Sequence, residues 1–128
     1  MVDSERKRLF FVASSRKDLR AMPEDVQDAF GGALLDAQYG DRPIGARPFG
    51  EGMPREVMKL VEDHDGDTYR AAYTVSFRHA VYVLHVFKKK SKAGIATPKA
   101  EKDVIRVRLQ AAAEHYRRTY GREEEGRA

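Results

Sequence analysis

The chain has no cysteine among its 128 residues. That excludes disulfides, thiol nucleophiles and thiolate metal sites, and makes a cytoplasmic setting the simplest expectation. Long apolar runs are missing too. Nothing approaches the ~20 residues of a membrane-spanning helix, so no membrane partner is expected. The N-terminal MVDSERKRLFFVASS holds an apolar run of only four residues, too short for a secretory leader. There is no phosphate-binding P-loop, no dinucleotide glycine pattern, no HExxH and no GxSxG elbow. His64, His79, His85 and His115 lack metal-ligand spacing. Neither a metal nor a cofactor is expected.

What is present is charge: 34% of residues are charged against 41% hydrophobic, as in a globular domain with a heavily charged surface. The length predicts a single domain over 1–128, with 1–8 and 121–128 as frayed polar tails. The net charge of +4 hints at an anionic partner, and its distribution says more than its size. From Arg78 to Gln110 there are nine Lys or Arg and two Asp or Glu; from Glu56 to Asp67 there are one Lys and five acids.

Leu9 to Ala13 reads as a first strand. Ser14 or Ser15 is placed to cap a short helix, with Asp18 in its first turn and Leu19 facing inward. Pro23 suits the first position of a second helix, in which Val26, Phe30, Leu34 and Ala37 form the buried stripe. Gly31-Gly32 inside it suggests close packing against another element, or simply a weak helix. Gly40 to Pro54 is rich in glycine and proline and reads as a long ordered loop. Arg55 to Val61 is a strand, Asp65-Gly66 a hairpin turn, and Thr68 to Phe77 the returning strand. On that strand Tyr69, Ala71, Tyr73, Val75 and Phe77 share the core face, and Arg70 stands opposite among small residues. Val81 to Phe87 follows as an antiparallel partner. Thr97-Pro98 starts a last helix, with Ile105, Leu109, Ala112 and Tyr116 inward and Arg106, Arg108, Arg117 and Arg118 mostly outward. The expected architecture is α+β, in the order β-α-α-β-β-β-α, with a mainly antiparallel sheet, helices packed on one face and the other face partly open.

The stretch VYVLHVFKKKSKAGIATP organises the rest. A β-branched and aromatic strand ends in Lys88, Lys89 and Lys90, so a rigid element delivers cations to its own end. The antiparallel pairing brings Arg70 near His85, Phe87 and these lysines. Such a cationic set, with His85 and Glu56 as proton handlers, suits metal-free RNA cleavage. There the 2′-hydroxyl attacks its own phosphate, and fixed cations stabilise the charge that develops. Phe87 would stack a base, and Ser91, Lys92, Arg42 and Arg47 would add contacts to RNA. Singly, each residue has a plainer reading: His85 as a core histidine, Glu56 as a cross-strand ion-pair partner, the lysines as a solvated strand end, and Phe87 as core.

LHVFKKKSKAGIATPKAEKDVIRVRL resembles the phage-derived branch of the RelE/HigB-like toxins, with its strand, F-x-K-K-S, short loop, T-P-x-x-E and helix. PEDVQDAFGGALLDAQYG and Tyr69-Arg70-Ala71-Ala72-Tyr73 are similar to the same branch, so the likeness spans roughly residues 9 to 118. The resemblance implies a RelE-like α+β toxin of a type II toxin–antitoxin pair. It implies metal-independent cleavage of mRNA in the ribosomal A site, and a helix-turn-helix antitoxin encoded by a neighbouring gene. It maps the strand arginine to Arg70, the basic strand end to Lys88, Lys89 and Lys90, and a strand carboxylate to Glu56, with His85 before the basic end. No match is assigned among His115, Tyr116 and Tyr120. Two other readings stay open: an RNA- or ribosome-binding protein that does not cleave, and a phage-derived interaction protein whose toxin activity has decayed.

Overall fold

The computed structural model describes residues 6–89 and 96–125. Its elements are β1 (Arg8–Phe11), α1 (Ser15–Arg20), α2 (Glu24–Gln38), β2 (Arg47–Pro48), β3 (Val57–His64), β4 (Asp67–Thr74), β5 (Ala80–Lys89) and α3 (Lys99–Glu125). They form a five-stranded mixed sheet in the order β1-β5-β4-β3-β2. Only the β1–β5 pair is parallel.

The element bounds differ from expectation at four places. The Gly40–Pro54 loop contains a two-residue strand, β2, because Arg47 and Pro48 pair with Lys59 and Met58 along the edge of β3. The order is therefore β-α-α-β-β-β-β-α. Helix α3 runs on through Glu125 where a polar tail was expected, and Arg8 already belongs to β1. Pro23 stands just outside α2 with extended backbone, and its carbonyl accepts the first helical N–H bonds, from Val26 and Gln27. The Asp65-Gly66 turn meets expectation: both residues have positive φ, 51° and 82°, as a tight hairpin with right-twisted strands requires.

The predicted α2 stripe is the buried one. Val26, Phe30, Leu34 and Ala37 pack with Tyr69, Ala71 and Tyr73 of β4 and with Val81, Val83 and Val86 of β5. Gly31 and Gly32 lie on the exposed side of the helix, and a Cβ added to either meets nothing within 4 Å. The suggested close packing at these glycines is absent among the described residues.

The larger correction concerns the second sheet face, which is covered rather than open. Ile105, Ala112 and Tyr116 of α3 pack with Ala72, Tyr82, Leu84 and Phe87, joined by Phe49 and Met53 from the loop before β3. The helices therefore sit on both faces, α2 on one and α3 on the other. A polar-looking face with Arg70 and Thr74 could be buried because its charge and hydroxyl find partners inside. The simple alternation of β4 also ends early: the strand stops at Thr74, Val75 is exposed, and Phe77 packs on the α3 side.

A β-bulge in β5 completes the frame. Ala72 pairs with His85 but Tyr73 with Val83, which leaves Leu84 as the extra residue. The Thr74 hydroxyl accepts the Tyr82 N–H at 3.1 Å beside this irregularity. Tyr82 before the bulge, Leu84 in it, and His85 and Phe87 after it thus share the α3 side of the sheet.

Candidate functional site

Below the bulge, β4 and β5 hold Arg70 opposite Phe87, Tyr69 opposite Lys88 and Thr68 opposite Lys89. Arg70 faces α3 and is only 6% exposed. A guanidinium there needs a built surrounding, because an uncompensated buried charge costs several kcal/mol. The surrounding is a relay: Arg70 Nη1 donates to Thr97 Oγ1 at 2.7 Å, and Thr97 Oγ1 donates to Glu51 Oε2 at 3.1 Å. The Thr97 N–H donates to Glu51 Oε1 at 2.6 Å, and the Arg70 guanidinium lies 3.7 Å from the Glu51 carboxylate. Lys59 Nζ, seated over the Phe49 ring at 5.0 Å, reaches the same carboxylate at 3.4 Å. Burial raises the Glu51 pKa, but the two Thr97 bonds and the Lys59 charge outweigh it, and the carboxyl is held below its ordinary range. Thr97 thus binds Arg70 and Glu51 with its side chain, the residue expected only to start the last helix.

The second half of the site is an imidazole. His85 Nε2 lies 2.6 Å from Glu101 Oε1 on α3, and its ring stacks on Phe87 with centroids 4.8 Å apart. Arg108 Nη1 approaches His85 Nδ1 at 3.5 Å, donates to the Leu84 carbonyl at 3.1 Å, and its other terminal nitrogen donates to Ser14 Oγ at 3.1 Å. Arginine can only donate, so this long contact favours Nδ1 as acceptor and puts the ring proton on Nε2, toward Glu101. Arg108 was expected to face outward; the bulge carbonyl of Leu84 and the Ser14 hydroxyl draw it in. Ser14 stands at the N-cap of α1, as expected, and its carbonyl accepts the Asp18 N–H, but its hydroxyl makes no cap bond and donates instead to Asp18 Oδ2 at 2.8 Å.

The other expected site residues divide. Lys89 is buried on the same side as Arg70 and His85. Lys88 points to the opposite side, as alternation demands, and lies 3.5 Å from Asp67. Lys90, Ser91 and Lys92 lie outside the described residues. Phe87 is 5% exposed, with its face against His85, so it is core rather than an open stacking platform. Glu56 does not join the site. It precedes β3, where its carbonyl accepts from Val75, whereas Arg70 pairs with Val61; five residues of strand, about 16 Å, separate the two positions. Arg42 and Arg47 are exposed near the β2 edge, Arg42 bonding the Ala46 carbonyl at 3.2 Å.

The carboxylates at the site are Glu51 and Glu101, and neither was singled out from sequence. Glu51 carried a signal. It stands between Gly50 and Gly52, and all three have positive φ, 70°, 54° and 83°. A glutamate held in left-handed backbone is strained, and such strain gathers at built sites. Glu101 is the acid of the T-P-x-x-E segment, two residues into α3 from Lys99, where a carboxylate also favours the helix start. Among the described residues no group of three His, Asp or Glu side chains is placed to hold a metal ion. No helix among them is long and apolar enough to cross a membrane.

A family model described as phage-derived protein Gp49-like (DUF891) matches residues 17–121, which takes in every element from within α1 to most of α3. No curated protein matches the chain.

Proposed function

Because the chain belongs to the phage-derived Gp49-like family, a family of RelE/HigB-like toxins in toxin–antitoxin systems, we propose that it is a toxin that cleaves mRNA on the ribosome. The mixed sheet flanked by three helices is compatible with a RelE-like fold. The observation that carries the reading is the buried Arg70 guanidinium beside the His85–Glu101 pair, on the strand end that also bears Lys89.

The chemistry follows from that set. The RNA 2′-hydroxyl attacks the adjacent phosphorus, and the 5′-oxygen leaves. Glu101, the more exposed member of the pair, takes the 2′-hydroxyl proton while the His85 N–H steadies its carboxylate. Arg70 stabilises the charge that grows on the phosphoryl oxygens; held in a buried setting, it needs little reorganisation to do so. A lysine ammonium of the strand end returns a proton to the leaving oxygen. Before substrate arrives, Glu51 and Thr97 satisfy Arg70; an incoming phosphate competes with that carboxylate. The steps use side-chain protons and fixed cations alone. The natural partner on this reading is a helix-turn-helix antitoxin from a neighbouring gene.

The test is to map mRNA ends in a translating extract with the wild type, Arg70→Ala and Arg70→Lys. New ends at fixed positions within codons, dependent on ribosomes and reduced about 10²–10³-fold in Arg70→Ala, are the expected result. Arg70→Lys keeps the charge and controls for folding. Intact mRNA with translation still blocked would favour binding without cleavage. One observation leans that way: both ring nitrogens of His85 already have neighbours, Glu101 and Arg108.

A further inference from the structure

A cavity lies well away from Arg70. It holds about 280 Å³ between the end of β1 and the middle of α3, and Phe10, Phe11, Tyr82, Ala111, His115 and Arg118 are among its walls. His115 is about 21 Å along α3 from Glu101, at 1.5 Å per residue. The β1 wall precedes the residues that the family model matches.

The cavity combines three features. Its walls are aromatic: Phe10 stacks on Tyr82 at 5.2 Å, and the His115 ring leans on Phe10 at 4.7 Å. It has one oriented polar group. Tyr82 is 1% exposed and its hydroxyl lies 2.6 Å from His115 Nδ1. This nitrogen is the one acceptor the phenol meets among the described residues; with the phenol donating to it, neutral His115 carries its own proton on Nε2. Burial pushes the Tyr82 phenol up to about 12, which keeps it a donor throughout the neutral range. His115 therefore keeps an N–H that bonds no group among the described residues. Finally, the rim is cationic. Arg118 is shared with a wider depression of about 470 Å³ that Arg117 and Arg122 also line, and Glu114 is the acid paired with Arg117 and Arg118.

Pinning α3 to the sheet would explain the Tyr82–His115 bond, but it needs neither a cavity nor arginines at its mouth. A flat ring system with acceptor atoms and an attached anion uses all three features. We propose that this cavity is a nucleotide site, which takes an unstacked nucleobase against His115 and its phosphate on Arg118 and Arg122. The volume, about 280 Å³, falls just under the ~300–1,000 Å³ of small-molecule sites and suits one base rather than a larger ligand. Aromatic walls with an arginine rim are a general means of holding single bases without reading sequence. The inference stands apart from cleavage at Arg70, because a nucleotide site needs no chemistry there.

The experiment is a titration of the full-length protein with 5′-AMP, 5′-UMP and a short single-stranded RNA, following the His115 ring resonances by NMR. Ala111→Leu, which fills the cavity while keeping a strong helix former, and Arg118→Glu, at the exposed rim, are compared with the wild type. The expected result is a saturable shift of His115, weakened about tenfold or more by either variant and unchanged in Arg70→Ala. A shift with mononucleotides alone would identify a free nucleotide as the ligand; a shift with RNA alone would identify the strand. No shift with either, the same shift with inorganic phosphate, or equal loss in Arg70→Ala would overturn the proposal. Loss of cleavage in Arg70→Ala with the His115 shift intact separates the two sites.

Discussion

Glu51 concentrates the physics of the candidate site. It holds a strained backbone, takes two bonds from Thr97 and one from Lys59, and faces a buried arginine. Its folded pKa is depressed, so between that value and the ordinary glutamate pKa near ~4.3 the unfolded chain binds more protons than the fold. Stability from this group is present above the unfolded value and is lost as pH falls through the folded one. Glu51→Gln should therefore lower stability at neutral pH and flatten its acid dependence, read from urea unfolding across the acid range. An unchanged acid slope would mean that other carboxylates carry it. A second prediction concerns Ala13, with φ of 51° at the turn after β1. Ala13→Gly should stabilise by up to about 1 kcal/mol, against the usual sign for alanine to glycine, because the strain is relieved. A net loss in chemical denaturation would show that the conformation costs alanine little.

At the scale of elements, α2 and β5 behave differently. Helix α2 was legible because its period is regular: apolar positions spaced 26, 30, 34 and 37 can only share one face. Its glycines are exposed and touch nothing, so Gly31→Ala and Gly32→Ala should each add about 1 kcal/mol or slightly less. Denaturant midpoints would check this, and a loss in either variant would reveal a contact that the isolated chain does not make. Strand β5 was legible as a strand but not as a bent one. A bulge adds one residue without altering composition, yet everything after it changes sides. That residue sets His85 and Phe87 on the α3 side with Arg70. It also decides which lysine joins them: alternation sends Lys88 and Lys89 to opposite sides, and the bulge makes Lys89 the one on the α3 side.

At the scale of the molecule, the sheet carries a hydrophobic cluster on each face, with Tyr73 in one and Tyr82 in the other. Burial raises both phenols to about 12. Above pH ~10 an unfolded tyrosine ionises while the buried one does not, so the unfolded state binds fewer protons and stability falls as pH rises. If the faces unfold together, both phenols should ionise in one alkaline step that coincides with loss of helical circular dichroism. Ionisation well before that loss would show that one face opens alone. The electrical asymmetry also takes on a place: α2 bears acids and no Lys or Arg, while the α3 side carries Arg70, Lys89, Arg108 and the arginines near its C-terminal end.

By itself the sequence determined what depends on neighbours along the chain. Hydrophobic spacing specified α2 and the inward stripe of α3, Asp65-Gly66 specified the hairpin, and strand pairing across it brought Arg70 to the end of β5. Tertiary structure alone decided which face each polar residue meets and who its partner is. Glu51 and Glu101, rather than Glu56, supply the carboxylates, because a loop and a helix start close over the sheet from positions that no periodicity links to Arg70. Arg108 turns inward because a bulge carbonyl and a serine hydroxyl await it. The cavity at His115 forms only where the end of β1, the middle of β5 and α3 converge. Pairing over such separations depends on how surfaces fit in space, and short-range pattern does not encode that.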